Sequence, residues 1–325
     1  MGPGPNQFES TKIIGQRQYE KAMRLFMTAT IRVQGPISFI HQHIDMSNVV
    51  LRTIGNRTIG TCKPAMGYSF AAGTTDGPGA FDFQQGATKD SPFWNIVRDF
   101  MKRPSSQLKA CHYPKPILVA TGEMKFPFAW QPNILPTQII KIGDVAIVGM
   151  PGEFTTMAGR RIRNAIKSEL DKAGSTKVIL SGLTNAYSSY VTTFEEYQVQ
   201  RYEGASTAYG QYTLEAYLKQ YAMLASHLAN KRPLQSLGPN PPNLLSRQLS
   251  FKTGVLVDGA PFGKKFGDPV YNAKPSYFRG GQVYVSFIAG HPRNDLQMEK
   301  SYLLVERFDG NQWAIVATDA SWETR

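Results

Sequence analysis

The 325-residue chain has little cysteine and no long apolar run. Its two cysteines are too few for a zinc ribbon or a small disulfide-rich scaffold. No uncharged apolar stretch reaches the roughly 18 residues that a membrane-spanning helix requires. Residues 1–6 have neither the basic nor the apolar region of a signal peptide. The start resembles a loop, and we expect it to correspond to the middle of a longer protein.

Acidic residues are also scarce, with 24 Asp and Glu against 36 Lys and Arg, so the formal net charge is +12. Such a balance favours an anionic partner, which could be nucleic acid, an acidic lipid surface or a charged glycan. The densest basic cluster, Arg160-Arg161-Ile162-Arg163, lies within a helical pattern. Because no nucleic-acid-binding motif accompanies it, we expect no nucleic-acid partner. A hydrophobic content of 42% excludes a disordered chain.

The most regular pattern spans residues 137–182. Two short apolar runs, at 137–142 and 145–149, predict buried strands. Apolar residues then recur at helical spacing from 154 to 170, and 177–182 predicts another buried strand. Strand, helix and strand in this order predict an α/β mixed sheet with a parallel pair. Further helices are predicted over 16–28 and 213–229.

The pattern changes after a proline-rich stretch at residues 233–245. Beyond it, 282–288, 301–308 and 312–317 predict strands separated by turn residues. They resemble the beginning of an all-β antiparallel sandwich, which ends at Arg325 with too few strands to close. The sequence therefore predicts an α/β domain over 1–245, followed by a linker and a truncated sandwich over 246–325.

Two motifs carry residues that could bind a metal. His41-Gln42-His43 would place two imidazoles on one face of a strand, as in some zinc sites, but without a third ligand nearby two polar residues at a strand edge are the simpler explanation. Glu153 follows a buried strand and precedes a helix, where functional groups of α/β sheets gather and the helix dipole keeps a carboxylate ionised. An acidic residue there also simply offsets the dipole, so residue type alone leaves both roles open.

Tyrosine is concentrated in one segment, with eight of the 15 tyrosines between residues 187 and 221. Several of them follow the strand predicted at 177–182, at the sheet edge where Glu153 emerges. Phenols in this position could line an amphipathic pocket, donate to a carbonyl or ligate a metal. Periodicity does not decide between these roles.

Four segments together resemble the neutral ceramidases. They are residues 151–161 (PGEFTTMAGRR), 185–207, 70–74 (FAAGT) and 319–325 (DASWETR). The resemblance runs over nearly the whole chain but covers only the later part of the family's length. It implies a zinc-dependent α/β catalytic domain followed by an immunoglobulin-like sandwich. The implied activity is hydrolysis of the amide of ceramide to sphingosine and a fatty acid.

The resemblance also implies site residues. Glu153 and Tyr190 match two of the four zinc ligands, and Tyr202 matches a tyrosine near the scissile amide. The two zinc histidines belong to segments upstream of this chain, and His41-Gln42-His43 does not match them. We therefore expect the chain alone to be inactive. The alternative function is a non-catalytic remnant that associates with lipids or membranes.

The family is extracellular or bound to the outer face of the plasma membrane, which implies a Cys62–Cys111 disulfide and glycosylation at Asn56. Cysteine spacing alone allows either a bridge or two buried thiols. A positive surface would hold the protein on an anionic bilayer, where its lipid substrate lies.

A second ion is a further expectation. Asp319, Ser321 and Thr324 offer hard oxygen donors suited to Ca²⁺ or Mg²⁺. A polar turn at a strand end would use the same residues.

Overall fold

The computed structural model describes residues 2–54, 57–74, 77–170, 176–247, 249, 254–294, 300–321 and 324. Its contacts divide the chain into two compact units, Met1–Pro242 and Asn243–Arg325. The boundary predicted from the sequence lies three residues later, between 245 and 246.

The described helices are α1 Gln7–Thr28, α2 Tyr68–Ala71, α3 Pro92–Lys102, α4 Ser106–His112, α5 Thr156–Leu170, α6 Phe194–Val199, α7 Tyr202–Ser206 and α8 Thr213–Ala229. The described strands are β1 Ile37–Asp45, β2 Val50–Ile54, β3 Arg57–Gly60, β4 Met66–Gly67, β5 Ile117–Val119, β6 Ile134–Ile142, β7 Val145–Gly149, β8 Glu153–Phe154, β9 Lys177–Ser181, β10 Tyr190–Val191, β11 Pro269–Tyr271, β12 Ser286–Phe287, β13 Leu304–Phe308 and β14 Trp313–Thr318.

The main sheet of the first unit has the strand order β1-β6-β7-β9. β7 and β9 are parallel and are joined through α5, as the strand–helix–strand pattern predicted. β6 pairs antiparallel with β1 on one side and with β7 on the other. The predicted mixed α/β architecture is therefore confirmed for this unit.

α5 and α8 pack together and cover one face of this sheet. Leu135, Ile139 and Val148 of the sheet are fully buried there, because alternate residues of a strand point to the same face. On α8, Tyr217 and Tyr221 are fully buried, and the Tyr221 hydroxyl donates to the Gly149 carbonyl at 2.7 Å. This bond satisfies a buried phenol and fixes the end of β7, from which the candidate site begins.

α1 is longer than predicted, since it begins at Gln7 rather than at residue 16. The Asn6 side chain accepts a hydrogen bond from the Glu9 amide at 2.9 Å and so caps the helix earlier than the apolar pattern suggests. None of the described helices is long and apolar enough to cross a membrane.

Among its described residues, the second unit contains two separate antiparallel pairs, β11–β12 and β13–β14. Strand β12 is limited to Ser286–Phe287, much shorter than the predicted strand over 282–288. All side chains of β13 are exposed. Because a sandwich requires two sheets that bury each other's inner faces, these pairs do not establish an immunoglobulin-like sandwich, which stays a prediction.

Cys62 and Cys111 form the disulfide that the family resemblance implied, with an S–S distance of 2.01 Å. The Cys62 amide donates to the Tyr209 carbonyl at 2.9 Å, so the bridge is tied to the loop before α8. Gly210 follows in that loop with φ +87°, and a Cβ there would lie 2.6 Å from the Cys62 sulfur. Both the backbone conformation and the available space therefore require glycine at 210.

A buried polar cluster adjoins the disulfide. Lys115 is buried, and its Nζ donates to the carbonyls of Ala65 at 3.2 Å and Thr207 at 2.6 Å. The same Nζ lies 5.0 Å from the centre of the Tyr197 ring. The Tyr197 hydroxyl donates to the backbone carbonyl of His112 at 2.9 Å. Each buried polar group in this cluster thus has a partner, as stability requires.

The cluster supports the segment that carries Tyr190. Thr207, which Lys115 holds, forms an isolated β-bridge with Ser189. Its Oγ1 also lies 3.1 Å from that of Thr192, and both hydroxyls are buried. Lys115 therefore fixes residues on both sides of Tyr190 without touching it.

We predict that removal of the disulfide destabilises the protein by about 4 kcal/mol, because the bridge closes a loop with a sequence separation of 49. The double variant Cys62→Ser, Cys111→Ser should melt well below the oxidised protein. A reducing agent should lower the melting temperature of the native protein and leave the variant unchanged. Two alkylatable thiols in the non-reduced native protein would contradict the pairing.

We also predict acid lability from His112. Burial, reinforced by the charge of Lys115, lowers the pKa of His112 to about 3, against 6.5 in the unfolded chain. Between these values the unfolded state binds a proton that the native state does not, so stability falls as the pH drops below 6.5. The loss per pH unit increases through this range and approaches about 1.4 kcal/mol once the pH is a unit or more below 6.5.

Urea unfolding between pH 7 and pH 5 measures this slope. His112→Gln should be less stable at pH 7 but less sensitive to acid, since it has no imidazole to protonate. An identical pH slope in the native protein and the variant would show that His112 is not the group responsible.

Candidate active site

The candidate site begins where the chain leaves the main sheet. After β7 ends at Gly149, a short turn leads to β8, which pairs in parallel with β10. Glu153 and Tyr190 are direct register partners in this pair. Adjacent strands lie about 4.8 Å apart, so the carboxylate and the phenol stand side by side. The structure therefore brings together the two residues that the family resemblance implied as metal ligands.

Tyr187 is a third member of the site. Its hydroxyl donates to Glu153 Oε1 at 2.8 Å. Burial and this hydrogen bond raise the pKa of Tyr187 to about 12. The same two causes, in the same order, raise the pKa of Tyr190 above its ordinary value. Both phenols are therefore protonated near neutral pH, and the Tyr187 hydroxyl donates to the Glu153 carboxylate. The sequence identified Tyr187 only as one tyrosine among eight.

Tyr202 lies on the other side of Tyr190. Their ring centres are 5.3 Å apart in an edge-to-face arrangement, and the Tyr202 ring stacks on Phe70 at 6.0 Å. Gln85 Oε1 accepts from the Tyr202 amide at 2.6 Å, which fixes the start of α7. The stretch 70–74 thus contributes the Phe70 ring to the wall of the site, a role that the motif resemblance did not specify.

A cavity of about 620 Å³ opens at this point. Glu153 and Tyr190 line it together with Val199, Arg201 and Glu203 from the segment 199–204. Its volume lies within the range of ligand-binding pockets, and its lining combines apolar and charged groups. The arrangement can therefore hold an amphipathic ligand against the Glu153 carboxylate and the Tyr190 phenol.

A hydrogen-bond network links the residues that follow the two strands of the site, β8 and β10. Glu196 accepts from the Thr155 hydroxyl at 2.7 Å and from the Thr193 amide at 2.8 Å. Thr193 and Glu196 form a capping box at the start of α6. The residue after β8 is thereby tied to the helix after β10. The T-x-x-E spacing of residues 193–196 is the sequence signal from which this cap can be predicted.

His41 and His43 are not part of this site. They lie on β1, which is separated from β7 by β6, and their ring centres are 4.7 Å apart. Burial and the neighbouring His43 lower the pKa of His41. Within the described part of the chain, no group of three or more His, Cys, Asp or Glu side chains is placed to hold a metal. A pair without a third ligand fits the structural role at a strand edge.

The remaining predicted residues lie elsewhere. Asp319 Oδ2 accepts from the Tyr302 amide at 3.1 Å, which lowers its pKa, and Ser321 Oγ accepts from the Thr318 amide at 3.0 Å. The Thr324 amide donates to the Ser321 carbonyl at 3.0 Å. These bonds describe a turn after β14, and the second ion stays a prediction. Asn56 lies outside the described residues.

Comparison with known protein families gives matches over both units. The family model described as "Neutral/alkaline non-lysosomal ceramidase, N-terminal" matches residues 1–219. The corresponding C-terminal model matches residues 221–325.

Similar relatives include Neutral ceramidase 2 of Arabidopsis thaliana, which is 49% identical over 98% of this chain and 44% of its own length. Neutral ceramidase of Drosophila melanogaster is 47% identical over 100% of this chain and 48% of its own length. A solved structure described as "Ceramidase complexed with C2" superposes with a TM-score of 0.73 and 37% identity, and covers 99% of this chain and 50% of that one. The chain thus spans about half the length of the relatives it matches.

Proposed function

Because the chain belongs to the neutral/alkaline non-lysosomal ceramidase family, we propose that it forms one part of a ceramide amidase active site. The proposed reaction is hydrolysis of the amide of ceramide to sphingosine and a fatty acid. The observation that supports it most directly is the register pairing of Glu153 with Tyr190 beside an amphipathic cavity. Two oxygen donors on adjacent parallel strands can converge on one group at the cavity wall.

The proposed cofactor is zinc, and the donor set fits it in part. Glu153 and Tyr190 would hold the ion from one side, while the described residues provide no imidazole beside them. Catalytic zinc usually takes three protein ligands, so the missing ones would come from outside this chain. When bound, zinc supplies a Lewis acid that polarises an amide carbonyl and activates water.

The chain's own residues would bind and orient the substrate. The Tyr202 phenol, held edge-on to Tyr190 and stacked on Phe70, would contact the scissile amide. Tyr187 would keep the Glu153 carboxylate oriented by its hydrogen bond. The apolar part of the cavity wall would accommodate the hydrocarbon chains next to the site.

The remaining expectations also belong to this proposal. The net charge of +12 supports peripheral contact with an anionic membrane surface. The Cys62–Cys111 disulfide supports a location outside the cell or on the outer face of the plasma membrane, with glycosylation at Asn56. An immunoglobulin-like fold for the second unit and a Ca²⁺ or Mg²⁺ ion at Asp319 complete it. A calcium titration that leaves the melting temperature unchanged would count against the ion.

We predict that Glu153→Gln and Tyr190→Phe each abolish most activity in a full-length chimera. In this chimera the chain replaces the matching segment of the Drosophila relative. Amide hydrolysis should fall by at least about 100-fold, since even residues that only orient a metal ligand contribute 10–100-fold. Zinc content, measured by mass spectrometry of the metal, should fall in parallel.

Two matched controls test whether these losses are specific. Tyr212→Phe removes a phenol that stacks on Phe194, and Glu169→Gln removes a carboxylate on α5. Both should retain zinc and activity. Full zinc and full activity in Glu153→Gln and Tyr190→Phe would refute the assignment of both ligands.

We further predict that the 325-residue chain alone does not hydrolyse ceramide and takes up no zinc at micromolar supply. The reason is that two oxygen donors without imidazole bind zinc weakly. Equilibrium dialysis and a ceramide assay with and without chelator measure both properties. Hydrolysis that is lost on adding a chelator would overturn this prediction and direct attention to His41 and His43.

A further inference from the structure

A separate cavity of about 810 Å³ lies between the first half of β1 and the end of α8. Its lining comes from residues 38–41 and from the stretch 227–237. Strand β6 lies between β1 and β7, and among the described residues the cavity shares no lining with the one at Glu153. Its volume is within the range of ligand-binding pockets, roughly 300–1,000 Å³. The cavity is therefore large enough to hold a ligand of its own.

The segment 231–238, which we call the strap, follows α8 and is fixed at both of its ends. At its start, the Arg232 amide donates to the His227 carbonyl of α8 at 2.9 Å. At its far end, the Leu237 carbonyl accepts from the His43 amide of β1 at 2.8 Å. Because backbone hydrogen bonds tie the strap to a helix and to a strand, the cavity has a defined wall and is not a gap beside a loose loop.

Much of the cavity wall is hydrophobic. Its large apolar side chains are Phe39, Ile40, Leu228, Leu234 and Leu237. Ile40 belongs to the core, and Leu228 and Leu234 pack against it. Phe39 and Leu237 are instead 76% and 68% exposed. The wall thus joins rigid core residues to exposed apolar side chains, which is the composition of a surface that binds an apolar chain.

The polar lining of the cavity is basic or neutral. It consists of Ser38, His41, His227, Lys231 and Arg232, so no described lining residue is acidic. Lys231 and Arg232 are consecutive and exposed, and within the described part of the chain neither forms an ion pair. A negatively charged group bound here would therefore meet two cations with no lining carboxylate in competition.

The backbone of Lys231 supports a role for its side chain. Its φ is +52°, in the left-handed region that favours glycine. Lys231 directly follows Asn230, the C-cap of α8, and glycine is the usual residue in this place. A lysine there keeps a cation beside the cavity at a conformational cost that glycine would avoid. Costly conformations of this kind are frequent at ligand-binding sites.

We propose that this cavity binds the anion of a long-chain fatty acid. The carboxylate would accept hydrogen bonds from Lys231 and Arg232, and the alkyl chain would lie along Phe39, Leu228 and Leu234. A long-chain amine would be repelled by the two cations, and an uncharged lipid would gain nothing from them. The cavity lies outside the candidate active site. The proposed binding does not depend on ceramide hydrolysis, although a fatty acid is also the acyl product of that reaction.

Titration calorimetry with laurate, kept below its micelle concentration, tests the proposal. Laurate is added to the 325-residue chain and to the full-length chimera with the Drosophila relative. It should bind both proteins with one site per chain. Decanoate should bind roughly tenfold more weakly, because it buries two fewer methylenes at about 0.8 kcal/mol each. Acetate and dodecyltrimethylammonium should not bind. Equal affinity for laurate and acetate, or for laurate and the cationic amphiphile, would overturn the proposal.

Matched variants locate the bound laurate. The double variant Lys231→Gln, Arg232→Gln should weaken laurate binding at least about tenfold, since it removes both charged donors. Lys102→Gln, Lys109→Gln removes the same charge from exposed positions on α3 and α4, and it should leave the affinity unchanged. Equal melting temperatures of the two double variants would exclude misfolding as the cause. Equal affinities for laurate in the two double variants would overturn the proposal.

Three further comparisons separate this cavity from other sites. Arg201→Gln alters the lining of the candidate active site and should not change the affinity for laurate, so weaker binding in this variant alone would place the ligand there. Binding by the chain but not by the chimera would show that the cavity is closed in the longer protein. Flotation with phosphatidylserine vesicles, if sensitive to Lys231→Gln, Arg232→Gln while monomeric laurate does not bind, would assign the cations to a lipid surface. Each of these results would overturn the proposal.

Glu153→Gln in the chimera separates the proposal from the proposed function. It should abolish hydrolysis and leave laurate binding intact. Retained hydrolysis with intact laurate binding would contradict the active-site assignment alone. Loss of laurate binding in this variant would contradict a site apart from Glu153.

Discussion

The parallel pairing of β8 with β10 is the constraint on which the candidate site depends. Each strand has only two residues, yet their register places Glu153 directly beside Tyr190. β8 is held in position by β7, whose last carbonyl accepts from the buried Tyr221 hydroxyl. β10 is held through Thr207 and the buried Lys115. A displacement of either support would separate the two side chains.

The two supports differ in their physical nature. The first is part of the hydrophobic core, where α8 packs on the sheet and the Tyr221 phenol is satisfied by the Gly149 carbonyl at the end of β7. The second is a polar cluster beside a disulfide, in which the Lys115 amine donates to backbone carbonyls and the buried His112 imidazole Nε2 lies 2.8 Å from the Lys63 carbonyl oxygen. The covalent bond between Cys62 and Cys111 is well placed to hold such a cluster together. A buried polar group costs the most free energy when its hydrogen-bond partner moves away.

The sequence predicted the elements that have strong periodicity. β7, α5 and β9 lie close to their predicted limits, and α8 spans Thr213–Ala229 as predicted, because each has an uninterrupted apolar pattern. β8 and β10 are too short for any periodic signal, so their pairing could not be predicted from the residues. Glu153 and Tyr190 came from motif resemblance, while the role of Tyr187 depends on a hydrogen bond across 34 residues. Lys115 is an ordinary lysine in the sequence, and only the tertiary structure shows that it is buried.

The contact between Gly210 and the disulfide restricts the order in which the sequence can change. A side chain at 210 would occupy the space of the Cys62 sulfur, and it would also need a left-handed backbone conformation. A chain that keeps the bridge can therefore accept a larger residue at 210 only if the loop moves and the bond from the Cys62 amide to the Tyr209 carbonyl breaks. Loss of the two cysteines removes the clash between a side chain at 210 and the Cys62 sulfur. Only the free-energy cost of the left-handed backbone conformation at 210 then remains. During divergence of this family, substitution of Gly210 is expected to follow loss of the disulfide and not to precede it.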